Sequence, residues 1–182
     1  RDLLLKLHGD PSLTADDKFH LRVNHAVCQW RLGNLDKAID SMRQALSHAK
    51  TGLALNVGCS MLIEKARETG DFEEAAKMCR ESLDYDEDDI AAICNAGWMH
   101  LWMYEMDGDR QQRDDAQRYF KRANAKNPNH PAALAGLSLI EKADGNMEAA
   151  RAHIDRALEA RFPATCIVSR AYAERISSEL GA

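Results

Sequence analysis

Three copies of one short pattern stand along the chain: Gly33-Asn-Leu-Asp-Lys-Ala38, Gly70-Asp-Phe-Glu-Glu-Ala75 and Gly145-Asn-Met-Glu-Ala-Ala150. Each offers a glycine where a helix can end, a polar residue able to cap the next helix, an apolar residue, an acid in the first turn, and an alanine where two helices come close. Seven residues past each alanine stands another small residue, Ala45, Ser82 or Ala157, followed each time by a leucine, Leu46, Leu83 or Leu158. The second helix of each pair thus keeps one narrow stripe for its partner. A fourth copy is disguised: Ala116, Phe120 and Ala123 keep the spacing, and Asn127-Pro-Asn-His-Pro131 closes it with prolines that stop one helix and start another. The matching alanines at 38, 75, 116 and 150 lie 37, 41 and 34 residues apart, which predicts a unit of two helices. With only 4 Pro and 10 Gly, and apolar residues recurring at three and four, the fold class is all-α.

This arrangement resembles the tetratricopeptide repeat, which has glycine in the turn, alanine early and late in the second helix, and proline at the end. The resemblance implies an α-α superhelix, a solenoid of about four helix-turn-helix repeats plus a C-terminal capping helix. The expected divisions of this single domain are a helix stub and linker over 1–18, repeats over 19–52, 53–88, 89–129 (with an insertion) and 130–162, and the cap over 163–182. Departures exist: Arg22, Cys59 and Leu134 stand where the family's first-helix tryptophan is common, and only the third repeat ends in proline. The cap is expected to turn Ile167, Ala171 and Ile176 inward and Arg170, Arg175 and Glu179 outward.

The stretch Asn95-Ala-Gly-Trp-Met-His-Leu-Trp-Met-Tyr-Glu-Met106 holds two of the three tryptophans. Here the apolar residues leave almost no polar face, as suits a first helix in mid-array that is covered on most sides. The third repeat is long, and its excess is expected as one helical turn plus a longer loop over 107–115. In the resembled family, certain first-helix positions line a concave groove that holds a peptide. The resemblance implies that such a groove here includes His20, Val23, Val27, Trp30, Arg31, Ser60, Glu64, Arg67, Trp98, Trp102, Leu139 and Lys142. A few buried rings usually supply most of an interface's affinity, so Trp98 and Trp102 are the expected anchors. The other reading is that the 107–115 loop or the last helix folds over both rings and makes them core. The family's clamp for a chaperone's terminal carboxylate is missing, since Val23, Val27, Met61, Ala91 and Asn95 occupy its positions.

Other chemistry finds little support. The net charge of −5 disfavours a nucleic-acid partner. The uncharged runs over 52–63 and 90–104 are shorter than the roughly 18 residues of a membrane span, so no membrane insertion by this segment is expected. Asp84-Tyr-Asp-Glu-Asp-Asp89 lacks the glycine and glutamate of a calcium loop and reads as acid ahead of a helix start; Asp107-Gly-Asp109 reads as a solvated loop. His25 and Cys28 lie one turn apart but lack two further ligands, and read as a packed pair, so neither metal nor cofactor is expected. No phosphate-binding glycine loop or nucleophile elbow is present. The five cysteines, with no C-x-x-C, read as free buried thiols in a reducing compartment, hence a cytoplasmic or cytoplasm-facing location with an upstream anchor left open. The expected function is a non-enzymatic scaffold or adaptor binding a protein or peptide in its groove. The alternatives are a peptide-sensing regulatory domain and a self-assembly module.

Overall fold

The computed structural model describes Asp10 and residues 12–163 and 165–181. The expected helix stub at the N-terminus lies outside the described residues. Within them the chain forms α1 (Ala15–Arg31), α2 (Leu35–Leu46), α3 (Gly52–Thr69), α4 (Glu73–Tyr85), α5 (Ile90–Asp107), α6 (Arg110–Lys126), α7 (Pro131–Ala143), α8 (Met147–Glu159) and α9 (Arg170–Glu179). These are four helical hairpins and a final helix, an all-α solenoid. Within the array, each hairpin's second helix also packs on the first helix of the next, and α1, α3, α5 and α7 touch one another in series. The second helices make no such chain among the described residues, so the array curves with the first helices on its concave side.

Helix ends follow local chemistry, with some surprises. Thr14 closes a full capping box with Asp17, and Thr51, Asp89 and Asp109 each accept a first-turn N–H of the helix they precede. Asp89 thus fulfils the expectation for the acid run. Gly70 and Gly108 end α3 and α5 in the left-handed conformation, at φ of 82° and 73°, which a β-carbon would strain. The polar residues of the repeated turns cap less uniformly than expected. Asp71 accepts the N–H of Glu73 at 3.0 Å, whereas Asn34 and Asn146 make no side-chain cap; Asn146 instead donates to Glu141. The expected 107–115 loop is also corrected, because α6 begins at Arg110 and absorbs most of the third repeat's excess as helix.

Between hairpins the small-residue stripes do what their spacing predicts. Ala38, Ala45, Ala75, Ser82, Ala116, Ala123, Ala150 and Ala157 are all buried. Phe120 of α6 lies against two glycines: a β-carbon on Gly97 of α5 would stand 2.7 Å from its ring, and one on Gly136 of α7 closer still. The missing side chains are the space the ring occupies.

Four buried polar residues bind the second and third repeats. Asn95 donates to the Asn56 carbonyl at 2.9 Å, Ser60 donates to Asn95 Oδ1 at 3.1 Å, and Ser82 donates to Asn56 Oδ1. The second repeat is also closed covalently by a disulfide between Cys59 of α3 and Cys79 of α4, with Cα atoms 5.4 Å apart. The expectation of five free buried thiols is therefore wrong for two of them, and Cys28, though free, is exposed. The ground for expecting a reducing compartment goes with it.

Candidate functional site

The concave face is occupied by the chain itself. After α8 the backbone leaves helical geometry at Ala160, runs irregularly through Cys166 and Val168, and enters α9 at its cap, Ser169, whose hydroxyl accepts the Tyr172 N–H at 3.1 Å. The expected cap helix over 163–180 is thus half helix and half strap. Its register is corrected as well: Ala173 and Ile176 are buried, while Ala171 is exposed. Residues 165–181 are called the tail below.

The tail meets residues from all four repeats. Arg31 of α1 donates to the Cys166 carbonyl at 3.1 Å. The Tyr172 ring stands edge-on to Trp98 of α5, with centroids 5.9 Å apart, and the Arg67 guanidinium of α3 lies 4.1 Å from the Trp102 centroid and 5.9 Å from that of Tyr172. Lys142 of α7 pairs with Glu179 at 3.0 Å. Arg151 of α8 donates twice to the Leu180 carbonyl, at 2.6 and 3.0 Å. Arg31 and Arg151 make charge-assisted bonds to main-chain oxygens, a kind that ranks among the stronger contacts a folded chain makes.

This decides between the two readings of the tryptophans. Trp98 is 0% exposed and donates from Nε1 to the Ala132 carbonyl at 3.0 Å; Trp102 is 3% exposed. Their expected role as open anchors is corrected, because both rings are buried, with Tyr172 of the last helix edge-on to Trp98 and Arg67 over Trp102. Val23 is core, and Ser60 belongs to the buried polar bridge between repeats. Val27 and Leu139 are half-buried, and His20 is exposed and paired with Asp16 of its own helix. Trp30, Arg31, Glu64, Arg67 and Trp102 do converge, around one cavity of about 330 Å³ whose other wall is Ile167, Val168, Ser169 and Tyr172 of the tail. Trp30 Nε1 donates to Glu64 at 2.5 Å across the first two repeats.

The tail residues escaped sequence reasoning because a repeat register assigns groove positions only to first helices. The signal that pointed to them was Ile167-Val168 followed by Ser169, an apolar pair ahead of a helix cap outside the repeat pattern. Among the described residues, no group of three or more His, Cys, Asp or Glu side chains is placed to hold a metal ion. His25 bonds to Gln29 at 3.0 Å and Ser41 at 3.2 Å, so its expected packing with exposed Cys28 is replaced by a polar one. No helix among them is long and apolar enough to cross a membrane.

Two family models described as tetratricopeptide repeat match the chain, over residues 19–50 and 109–163. A crystal structure of a thermophilic tetratricopeptide repeat protein of Thermus thermophilus is similar at a TM-score of 0.72 and 17% identity, covering 89% of this chain and 80% of that one. A tetratricopeptide repeat protein of Parabacteroides merdae matches at 0.41 and 15%, covering 100% and 89%. The pilF protein of Pseudomonas aeruginosa matches at 0.42 and 12%, covering 92% and 90%. Only the first is close enough to speak for the fold. No curated protein matches the sequence. Repeats of this kind generally mediate protein–protein interaction and are typically non-catalytic scaffolds. With two such repeat models matched in its sequence and four hairpins stacked in series, the chain is a tetratricopeptide repeat protein.

Proposed function

We propose that this chain is a non-enzymatic interaction module that takes a segment of a partner protein across its concave face, in place of its own tail. The observation that carries this reading is the tail's seat: the face meets a main-chain carbonyl, an aromatic ring and an acid from residues 166–179 with Arg31, Arg67, Trp98 and Lys142. A tethered segment acts at an effective concentration on the order of millimolar. A partner must therefore bind better than the tail, and its apparent affinity falls by the fraction of chains whose face is open. A net charge of −5 favours protein over nucleic acid as partner.

Replacing Tyr172 by Ala removes the ring over Trp98 without touching a groove residue. Partner capture by the full-length Tyr172→Ala chain should exceed that by the wild type several-fold, with cross-links mapping to Arg31, Arg67 and Lys142. A synthetic peptide of residues 165–181 should compete for the same face. Equal capture by both chains, or cross-links confined to the second helices, would overturn the reading. A second copy's tail carries the same side chains, so a mass that grows with concentration would identify another copy of this chain as the partner.

A further inference from the structure

Away from the tail, a crease of about 520 Å³ opens between the second and third repeats, where the start of α4 meets the end of α5. We propose that this crease docks a basic, amphipathic segment of a partner protein, seating an apolar side chain with a lysine or arginine one helical turn away from it. Phe72 and Ala76 of the second repeat and Met103 and Met106 of the third give it an apolar lining, and Met106 stands 55% exposed. Methionine is unbranched and polarizable, and recurs at surfaces that accept differing partner side chains. The charged residues of the lining, Glu73 and Asp107, are both acids.

The neighbouring creases show what this one lacks. Counted from the turn glycines, Glu73 takes the place of Asp36 and Met103 that of Lys65; between the first and second repeats, Lys65 pairs with Asp36 at 2.9 Å. Counted the same way, Asp107 takes the place of Asp144, and Phe72, as far ahead of Ala75 as Arg113 is of Ala116, takes that of Arg113; between the third and fourth repeats, Arg113 pairs with Asp144. Each flanking crease is thus closed by an ion pair from one repeat's second helix to the end of the next first helix. The middle crease keeps both acids and has an apolar residue where each cation would stand. Asp107 accepts the Asp109 N–H at 2.8 Å, but neither carboxylate has a cationic partner among the described residues, Lys77 and Arg110 included. The carbonyl end of α5 adds to the negative charge, since its last turn carries no base. A partner's lysine or arginine supplies the cation that the array leaves out, and its apolar neighbour covers Met106. The same charge turns away nucleic acid and an anionic lipid surface.

The test is a titration of the full-length protein, labelled at its methionine methyls for NMR, with an amphipathic peptide of leucine and lysine. Saturable shifts of the Met103 and Met106 signals are expected, with Met147, exposed at the start of α8, unmoved, and binding should weaken as salt rises. A peptide of the same pattern with glutamate for lysine should not bind. Glu73→Gln, a change at an exposed side chain, should weaken binding about threefold, as losing a surface ion pair does, and Met106→Ser about tenfold through lost apolar contact. Met103→Lys, which gives Glu73 the partner that Asp36 has in Lys65, should abolish it, while Glu148→Gln on α8 should change nothing. Equal binding of the glutamate peptide, shifts at Met147 that match those at Met106, or full affinity in both Glu73→Gln and Met106→Ser overturns the proposal. Met106 shifts that follow protein concentration with no peptide present overturn it too, and place a second copy of the chain in the crease. The crease shares no lining residue with the tail's seat, so Tyr172→Ala should bind the peptide as the wild type does, and either reading can fail without the other.

Discussion

Trp98 is held on several sides, by Phe120 at 5.5 Å between ring centres, Trp102 at 5.1 Å and Tyr172 at 5.9 Å, with its N–H on the Ala132 carbonyl. Truncation would leave a large cavity where the indole stood. Trp98→Ala should therefore lower the free energy of unfolding in urea by ~3–5 kcal/mol, whereas an open anchor would lose little. His130 offers a residue-scale test in pH. It is the cap before Pro131, it sits with Nδ1 3.4 Å from Cys94 Sγ, and burial holds its imidazolium below the ordinary value of 6.5, with Asp89 opposing in part. The folded state keeps this ring neutral while the unfolded chain takes a proton near 6.5. Its contribution to stability is thus whole above about 6.5 and is lost as pH falls from there to the lowered folded value. His153, also held down by burial, works in the same direction. Melting profiles should fall on acidification through this range, and His130→Gln should flatten the slope.

The hairpins were legible because their signals are local. A glycine at a helix end, an acid in a first turn and an alanine at a close approach act within one or two turns of chain. What lay beyond sequence was tertiary pairing: Cys59 and Cys79 are 20 residues apart, and their spacing fits two facing helices as well as it fits two unrelated core thiols. The register of α9 was missed for a related reason. Both Ala171 and Ala173 suit a buried helix face, and the Ser169 cap with the irregular strap before it sets the phase that turns Ala173 inward. The second repeat supplies the prediction at this scale. A disulfide closing about 20 residues should stabilise by ~3 kcal/mol through the unfolded state. Reduction should lower the melting temperature, and Cys79→Ala should remove the difference between reduced and oxidised samples. A melting curve indifferent to reductant would show that the pair adds nothing.

A solenoid whose repeats touch only their neighbours can unfold from its ends, since no contact ties the first repeat to the last. The tail changes that topology. It leaves the fourth repeat, reaches Arg31 through the Cys166 carbonyl, and returns in α9 to Lys142 and Arg151. The ends are thereby coupled by a contact spanning 135 residues of sequence. Val168, 3% exposed against the first two repeats, is a place to cut this link without disturbing a hairpin. Removing part of its side chain should forfeit on the order of 1.5 kcal/mol of burial, and the loss should not be shared evenly. In Val168→Ala, hydrogen exchange in α1 and α2 should speed up first and by the larger factor, while α7 and α8, held by their own hairpin and by Arg151, should change little. The wild type should lose protection in all four hairpins together, and the variant should show two steps in urea. Uniform acceleration along the chain would mean that the tail adds stability without joining the ends, leaving the array an ordinary nearest-neighbour stack.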